Sequence, residues 1–409
     1  MSVTTHSPRI APSVMAPVES AEVSSAPRPA RLPIDPWLTL AVIGLGVCSV
    51  ATLASVTRNL IPGSPHYYVD RQVAYLVLGV LAMVAISTFD YGRLRRLGRP
   101  LFIALVLSLL AVRLLGHAAN GSQRAINFPF FAFQASELGK VLLIVALSCF
   151  VIERYRHIRE RKTTAQVMLA GLVAAMLVII QPDVGSGLVY VVIAFAVLFV
   201  AGVPGKHLLA LLAIGAAAIA LVLGAAPAVG VHMLKPYQEE RLTAFLHPSN
   251  DAQKQGYQQQ ESKIAIGSGQ KTGRGVNATQ TTLNFVPEDD TDFIFAAVGE
   301  RWGFVGAALV LSLYALLIWR LLRILTMSKD LFGAVIVGGV VAAMLFQVFI
   351  NVGMAIGISP ITGITLPLMS YGGSSVITTF LALGLAQSIY ARSRSAQALK
   401  GRAPVGLGA

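Results

Sequence analysis

Near residue 290 the chain reads FVPEDDTDFIF, which sets Glu288, Asp289, Asp290 and Asp292 together where an apolar stretch begins. The chain has only 19 acidic residues in 409, so this is a marked concentration. Like charges held close together, next to a region that excludes water, push carboxyl pKa values upward. A carboxylate lifted toward neutrality is suited to act as a general base, and Asp292, the innermost of the four, is where the lift is expected. Two other readings of these residues stand beside it. Asp290 or Thr291 can cap a following helix, with acids in its first turn favoured by the helix dipole. The cluster can also recruit a divalent cation such as Mg²⁺.

Other ionisable groups sit at the edges of apolar runs, where insertion costs about 2.5–3.5 kcal/mol each. In FQASELGK, Glu137 and Lys140 are three residues apart and so share one helix face. They are either a self-neutralising pair or one wall of a polar cavity. Asp183 in QPDVG either caps the next helix or joins that cavity. Glu300, in GERWG, can pair with Arg301 or Arg71 and serve structure alone. The segment ISPITGITLPLMSYGGSS, 358–375, carries no charge but is too rich in Gly, Pro and hydroxyls for a plain helix. Backbone N–H groups beside Ser370, Ser374 and Ser375 would suit an oxyanion such as phosphate.

What must position these groups is a membrane bundle. Hydrophobic residues make up 55% of the chain and charged ones 12%, against about 25% charged in a soluble domain. Ten apolar runs of membrane-crossing length are read at roughly 37–56, 72–89, 100–116, 136–153, 165–182, 186–203, 207–229, 302–323, 332–357 and 374–391. The break between the fifth and sixth is the short QPDVGSG. The net charge of +13 does not point to nucleic acid, because the basic residues fall in short clusters between the runs. Clusters such as Arg93, Arg95, Arg96 and Arg99, or Arg154, Arg156, Arg159, Arg161 and Lys162, alternate with outer loops holding few cations. That asymmetry places both termini in the cytoplasm. Cys48 and Cys149 lie inside apolar runs and imply neither a disulfide nor a metal site.

Residues 1–35, rich in Ala, Ser and Pro, read as a disordered tail and not as a signal peptide. Residues 36–393 form the membrane domain, and 394–409 a second cytoplasmic tail. One large outer segment, about 231–301, breaks the pattern of short loops; unstructured loops of such length are uncommon unless functional. It includes an amphipathic piece, 258–266.

In this order, GSQRAINFPFFAFQASELGK, QPDVGSGLV, ESKIAIGSGQKTGRG, PEDDTDFIFAAVGERWG and NVGMAIGISPITGITLPLMSYGGSS resemble the SEDS family of cell-wall proteins, which includes RodA and FtsW. The likeness runs over roughly 37–391, and ESKIAIGSG leans toward RodA. It departs from the family pattern at Ala125, Ala132, Ala135 and Asp290, and at Ser359-Pro360 and Ile364-Thr365 in the last motif.

The resemblance implies an all-α polytopic membrane protein that acts as a peptidoglycan glycosyltransferase. Such an enzyme polymerises lipid II at the outer face of the cytoplasmic membrane beside a class B penicillin-binding transpeptidase. The family's essential aspartate maps to Asp292. Its polar cavity residues map to Arg71, Arg124, Glu137, Lys140 and Asp183. Lys140, Arg71, Arg124 and Lys263 are the candidates for holding the diphosphate and sugar-acid groups. The expected chemistry is one inverting displacement, with Asp292 as base. A lipid flippase would use the same polar cavity, and a scaffold for the transpeptidase would not need Asp292.

Overall fold

The computed structural model describes residues 34–59, 63–115, 125–127, 131–225, 241, 245, 255–283 and 285–400. The N-terminal tail up to residue 33, most of the outer segment before residue 255, residues 401–409 and Arg124 lie outside them.

Seven apolar helices come first: α1 (Pro36–Val56), α2 (Tyr67–Thr88), α3 (Gly98–Leu115), α4 (Ala135–Glu153), α5 (Arg161–Ile180), α6 (Val184–Val200) and α7 (Gly205–Ala220). A more polar helix, α8 (Gln255–Ser268), follows in the outer segment. Three long ones complete the bundle: α9 (Ile294–Met327), α10 (Leu331–Ile356) and α11 (Gly373–Lys400). Among the described residues nine helices are long and apolar enough to cross a membrane, α7 together with the turn that extends it to Leu223, and α6, with 17 residues, is a tenth apolar one. The break at QPDVG is therefore a turn between two separate helices. Among the described residues the strands are a two-residue ladder, Ile126–Asn127 against Ala132–Phe133. The fold is an all-α polytopic membrane protein.

Burial separates the helices by role. In their most apolar windows α4, α10 and α11 are 72%, 67% and 83% buried, whereas α7 is 6% buried. The first three form the core, and α7 is an outer helix whose apolar sides suit lipid. Around the core α2 packs on α11, α1 on α9, α5 on α6, and α10 on both α6 and α9.

Aspartates define the starts of two helices at the end of the bundle that carries the basic clusters. Asp35 caps α1, accepting from Leu38 N at 3.0 Å, with Pro36 in the first turn. Its fully buried carboxylate also accepts from the Arg320 guanidinium, which joins α1 to α9. Asp330 caps α10 through Gly333 N at 2.8 Å and pairs with Arg95 at 2.8 Å.

Two boundaries differ from the hydropathy reading. α9 begins at Ile294, eight residues ahead of the expected 302, and bends at Gly303 (φ 64°, ψ −157°). That conformation is essentially restricted to glycine. The outer segment fills the bend: Phe304 N donates to Gln270 O at 2.9 Å, Val305 N to Lys271 O at 3.1 Å, and Arg274 N to Glu300 O at 2.9 Å. Backbone groups released by the bend thus find partners, as they must near lipid. At the other end α11 continues through 394–400, so part of the expected tail is helical.

Between α10 and α11, residues 357–372 have no helix yet are largely buried. Their carbonyls are taken up by polar side chains of the surrounding helices. Ser49 Oγ donates to Met369 O at 2.7 Å, Tyr314 OH donates to Pro367 O, and Gln72 Nε2 reaches Ser370 O at 3.4 Å. Non-helical backbone at this depth is stable where protein buries it in this way.

Candidate functional site

The acidic motif folds as a tight turn ahead of α9. Glu288 takes a left-handed conformation (φ 57°), and its carbonyl accepts from Thr291 N at 3.2 Å and Phe293 N at 2.9 Å. The helix then starts at Ile294, with Phe293 in the capping position and no side-chain cap. Capping by Asp290 or Thr291 is therefore corrected; Thr291 Oγ1 instead donates to Glu288 Oε2 at 2.8 Å. Asp292 lies in the turn rather than inside the span.

The turn is bonded to the buried 357–372 segment at two points directly and at a third through Asn351. Tyr371 N donates to Asp290 O at 2.9 Å, and Ser370 Oγ donates to Thr291 O at 2.6 Å. Asn351 Nδ2, on α10, donates to Asp292 O and to Ile364 O, each at 2.8 Å. Asn351 thus holds the backbone of Asp292, and the Asp292 carboxylate lies beside Gly363. A Cβ built on that glycine (φ 73°) would lie 3.4 Å from Asp292 Oδ2 and 3.9 Å from Arg241 Nη1. Arg241 also donates to Thr362 O at 3.3 Å. One carboxylate and one guanidinium therefore meet over a bare stretch of backbone.

The raised carboxyls are neighbours of Asp292. Burial, reinforced by the Asp290 charge, pushes Asp289 up to about 8. Burial and Glu288 push Asp290 to about 6. Asp289 is 4% exposed, and among the described residues its Oδ2 has no hydrogen-bond partner. Among the same residues Thr362 Oγ1 and Asn351 Oδ1 are likewise buried without a partner. Buried polar atoms are rarely left so, which marks this region as one with unused hydrogen-bonding capacity. Among the described residues no three acidic, His or Cys side chains converge as a metal site.

Arg71 joins the site from α2. Its guanidinium lies 4.4 Å from the Tyr67 ring centroid and bonds to the Tyr371 side chain, and the Tyr371 backbone N–H donates to Asp290 O. The Tyr68 ring packs edge-on against Tyr371, with centroids 5.0 Å apart.

Asp183, Glu137 and Lys140 form a second, more enclosed layer. Asp183 caps α6 through Ser186 N at 3.0 Å, and its other oxygen accepts from Ser136 Oγ at 3.0 Å and Gln134 Nε2 at 3.3 Å. Two residues on, Gly185 packs against the site segment, where a Cβ would fall 2.7 Å from Thr362 O. Glu137 and Lys140 pair at 2.7 Å, with side chains 6% and 7% exposed. They line a cavity of about 30 Å³ together with Gln347 and Thr378. That volume holds a water molecule.

The Ser370 and Ser374 hydroxyls are engaged with backbone: Ser370 Oγ accepts from Leu366 N at 2.8 Å, and Ser374 Oγ accepts from Gln134 N at 2.9 Å and donates to Ala132 O at 2.7 Å. Both hydroxyls brace the segment. Glu300 pairs with neither Arg71 nor Arg301 through a salt bridge; fully buried, it accepts from Gln280 N, Thr281 N and Thr281 Oγ1 at 2.8–2.9 Å. Lys263, on α8, lies against Gly357 at the C-terminal end of α10, where a cation complements the helix dipole.

Two participants were not singled out in the sequence. Arg241 sits in YQEERL beside two glutamates and reads as a mixed-charge loop. Asn351 is a polar residue deep in an apolar run, which is itself a signal of function in a membrane helix.

The family model FTSW_RODA_SPOVE, described as "Cell cycle protein", matches residues 34–395. Stage V sporulation protein E of Bacillus subtilis is 32% identical over 360 residues, 87% of this chain and 96% of the relative. The probable peptidoglycan glycosyltransferase FtsW of Thioalkalivibrio sulfidiphilus is 36% identical over 384 residues, 90% of this chain and 92% of the relative. A chain from a solved structure described as "Structural coordination of polymerization and crosslinking by a peptidoglycan synthase complex" superposes with a TM-score of 0.75 at 32% identity. It covers 89% of this chain and 99% of that one. Sporulation and division relatives match at comparable identity, which gives the lean toward RodA no added distinction.

Proposed function

The chain belongs to the FtsW/RodA/SpoVE family of cell cycle proteins, and from that membership we propose that it is a peptidoglycan glycosyltransferase with Asp292 as its general base. The substrate in this reading is lipid II, polymerised at the outer face of the cytoplasmic membrane, with both termini and the basic clusters on the inner side. The working partner is a class B penicillin-binding transpeptidase.

One observation carries the mechanism: Asp292 and Arg241 converge on Gly363. Chain extension needs a sugar hydroxyl to attack the anomeric carbon of a diphosphate-linked sugar. The oxygen–carbon bond forms as the bond to the diphosphate breaks, and the hydroxyl proton passes to a base. Asp292 is that base. Arg241, presenting a flat fork of N–H donors, stabilises the charge that builds on the leaving diphosphate. Arg71, held against Tyr67 and Tyr371, is the second cation. Gly363 lets substrate approach the backbone where any side chain would intrude. The reaction inverts the anomeric centre, since a single displacement needs no enzyme nucleophile. Lys140 is neutralised by Glu137 and tunes the inner layer, while Asp183 positions α6 against the site segment.

The test is lipid II polymerisation by purified protein, with and without a cognate class B transpeptidase, for wild type and Asp292→Asn. Glycan from wild type with a loss of about 10²–10⁴-fold in a folded Asp292→Asn protein supports the assignment. Equal polymer from both removes Asp292 from the chemistry. No polymer from either, partner included, moves the reading to lipid transport or scaffolding.

A further inference from the structure

The opposite end of α4 from the acidic turn holds an unassigned crevice of about 300 Å³ between α3, α4 and α5. Its walls are apolar: Phe102 on α3, Ala146 and Phe150 on α4, and Ala170 on α5. Small side chains at Ala146 and Ala170 leave the gap open. The mouth is charged, because the crevice ends where α3 starts and α4 stops, at Arg99, Glu153 and Arg154.

Two features of the mouth favour an anion. The Arg154 guanidinium carbon lies 3.9 Å from the Phe150 ring centroid, within cation–π range, which holds the charge at the rim of the crevice. Arg99 is exposed. Among the described residues neither Arg99 nor Arg154 makes a salt bridge. The surroundings reinforce the sign. The connecting segments carry Arg93, Arg95, Arg96, Arg156, Arg159, Arg161 and Lys162 against Asp90, Glu153 and Glu160, and Glu160 is engaged by His157 at 2.6 Å.

The shape selects the rest of the ligand. A helix, about 10–12 Å across, does not fit between three packed helices, whereas a single hydrocarbon chain does. A free anion would leave the apolar wall unused. We propose that this crevice is a binding site for an anionic glycerophospholipid, with one acyl chain between α3, α4 and α5 and its phosphate on Arg99 and Arg154. Basic clusters at the membrane surface attract anionic headgroups generally; here an apolar slot behind two arginines fixes one lipid in place. The site is separate from the acidic turn, so it stands whether or not Asp292 is the base.

Native mass spectrometry of the purified full chain in detergent, titrated with phosphatidylglycerol or with phosphatidylcholine of the same chains, tests this. The expected result is one tightly retained phosphatidylglycerol and no comparable phosphatidylcholine. Arg99→Gln/Arg154→Gln should weaken phosphatidylglycerol about tenfold or more. Ala170→Phe, which fills the slot from a partly exposed position and keeps both arginines, should weaken it as well. If the double variant fails to fold, Arg99→Gln alone, on an exposed side chain, carries the same comparison. Equal retention of the two lipids, or retention unchanged in the variants, overturns the site. Displacement of the lipid by glycerol phosphate as effectively as by intact phosphatidylglycerol overturns the acyl-chain assignment.

Discussion

Asn351 holds the backbone of Asp292: its amide nitrogen donates at 2.8 Å to the Asp292 carbonyl, and at 2.8 Å to that of Ile364. One side chain on a core helix therefore sets the spacing between the acidic turn and the segment that carries Gly363. Asn351→Leu keeps the size and removes the donor, leaving two carbonyls without it at about 1–3 kcal/mol each. The expected outcome is a lowered Tm together with polymerisation reduced well beyond the loss of folded protein. Wild-type turnover in the folded fraction would show that this spacing does not matter.

Arg241 is expected to act on the reaction and not on the fold. Arg241→Gln should leave Tm within a few degrees of wild type and reduce polymerisation about 10²–10³-fold, the usual scale for losing one donor to a developing negative charge. Arg241→Lys should recover only part of it, because an ammonium lacks the planar fork. Full activity in Arg241→Gln would assign the diphosphate to other cations.

Stability should fall as pH rises, and Asp289 is the main reason. Its carboxyl is pushed up to about 8 from an ordinary 3.8, and that of Asp290 to about 6. A carboxyl with a raised folded pKa binds its proton more tightly in the fold. Its contribution is complete below about pH 4 and is lost as pH climbs through 8. Melting curves between about pH 5 and pH 8.5 should show a declining Tm in wild type and a shallower decline in Asp289→Asn. Parallel curves would mean that Asp289 is ionised throughout.

Gly303 and Gly215 make a matched pair. At Gly303 a Cβ would sit 2.4 Å from Gly273 N, on a backbone with φ of 64°, whereas at Gly215 nothing lies within 4 Å. Gly303→Ala should cost more than the 1–3 kcal/mol of backbone strain alone, because the GSGQKTGRG backbone must also move. Gly215→Ala should be neutral. Yield of folded protein and Tm after purification decide it, and similar values for the two would remove the bend from the account of α9.

Much of this was readable from local pattern. Ten apolar runs, the turn at QPDVG and the irregularity of ISPITGITLPLMSYGGSS follow from chain length against bilayer thickness and from the backbone limits of Gly and Pro. The Glu137–Lys140 pair follows from helical spacing alone. The start of α9 did not, since Glu300 and Arg301 look like a boundary. Only in the folded chain does the Glu300 carboxylate meet Gln280 N and Thr281 and become buriable.

The candidate site divides the same way. Composition and motif singled out Asp292 and its acidic neighbours, because charge at the edge of an apolar run is costly and therefore conspicuous. Only tertiary structure decided that Asp289 and Asp290 are the carboxyls raised by burial. It alone also decided that the Ser370 and Ser374 hydroxyls are committed to bracing, and that Arg241 meets Asp292 over Gly363. Hydrophobic patterning is a one-dimensional property set by the membrane. A site made of residues 241, 292, 351 and 363 depends on which carbonyls, hydroxyls and charges four separate segments present to one another, and spacing along the chain does not encode it.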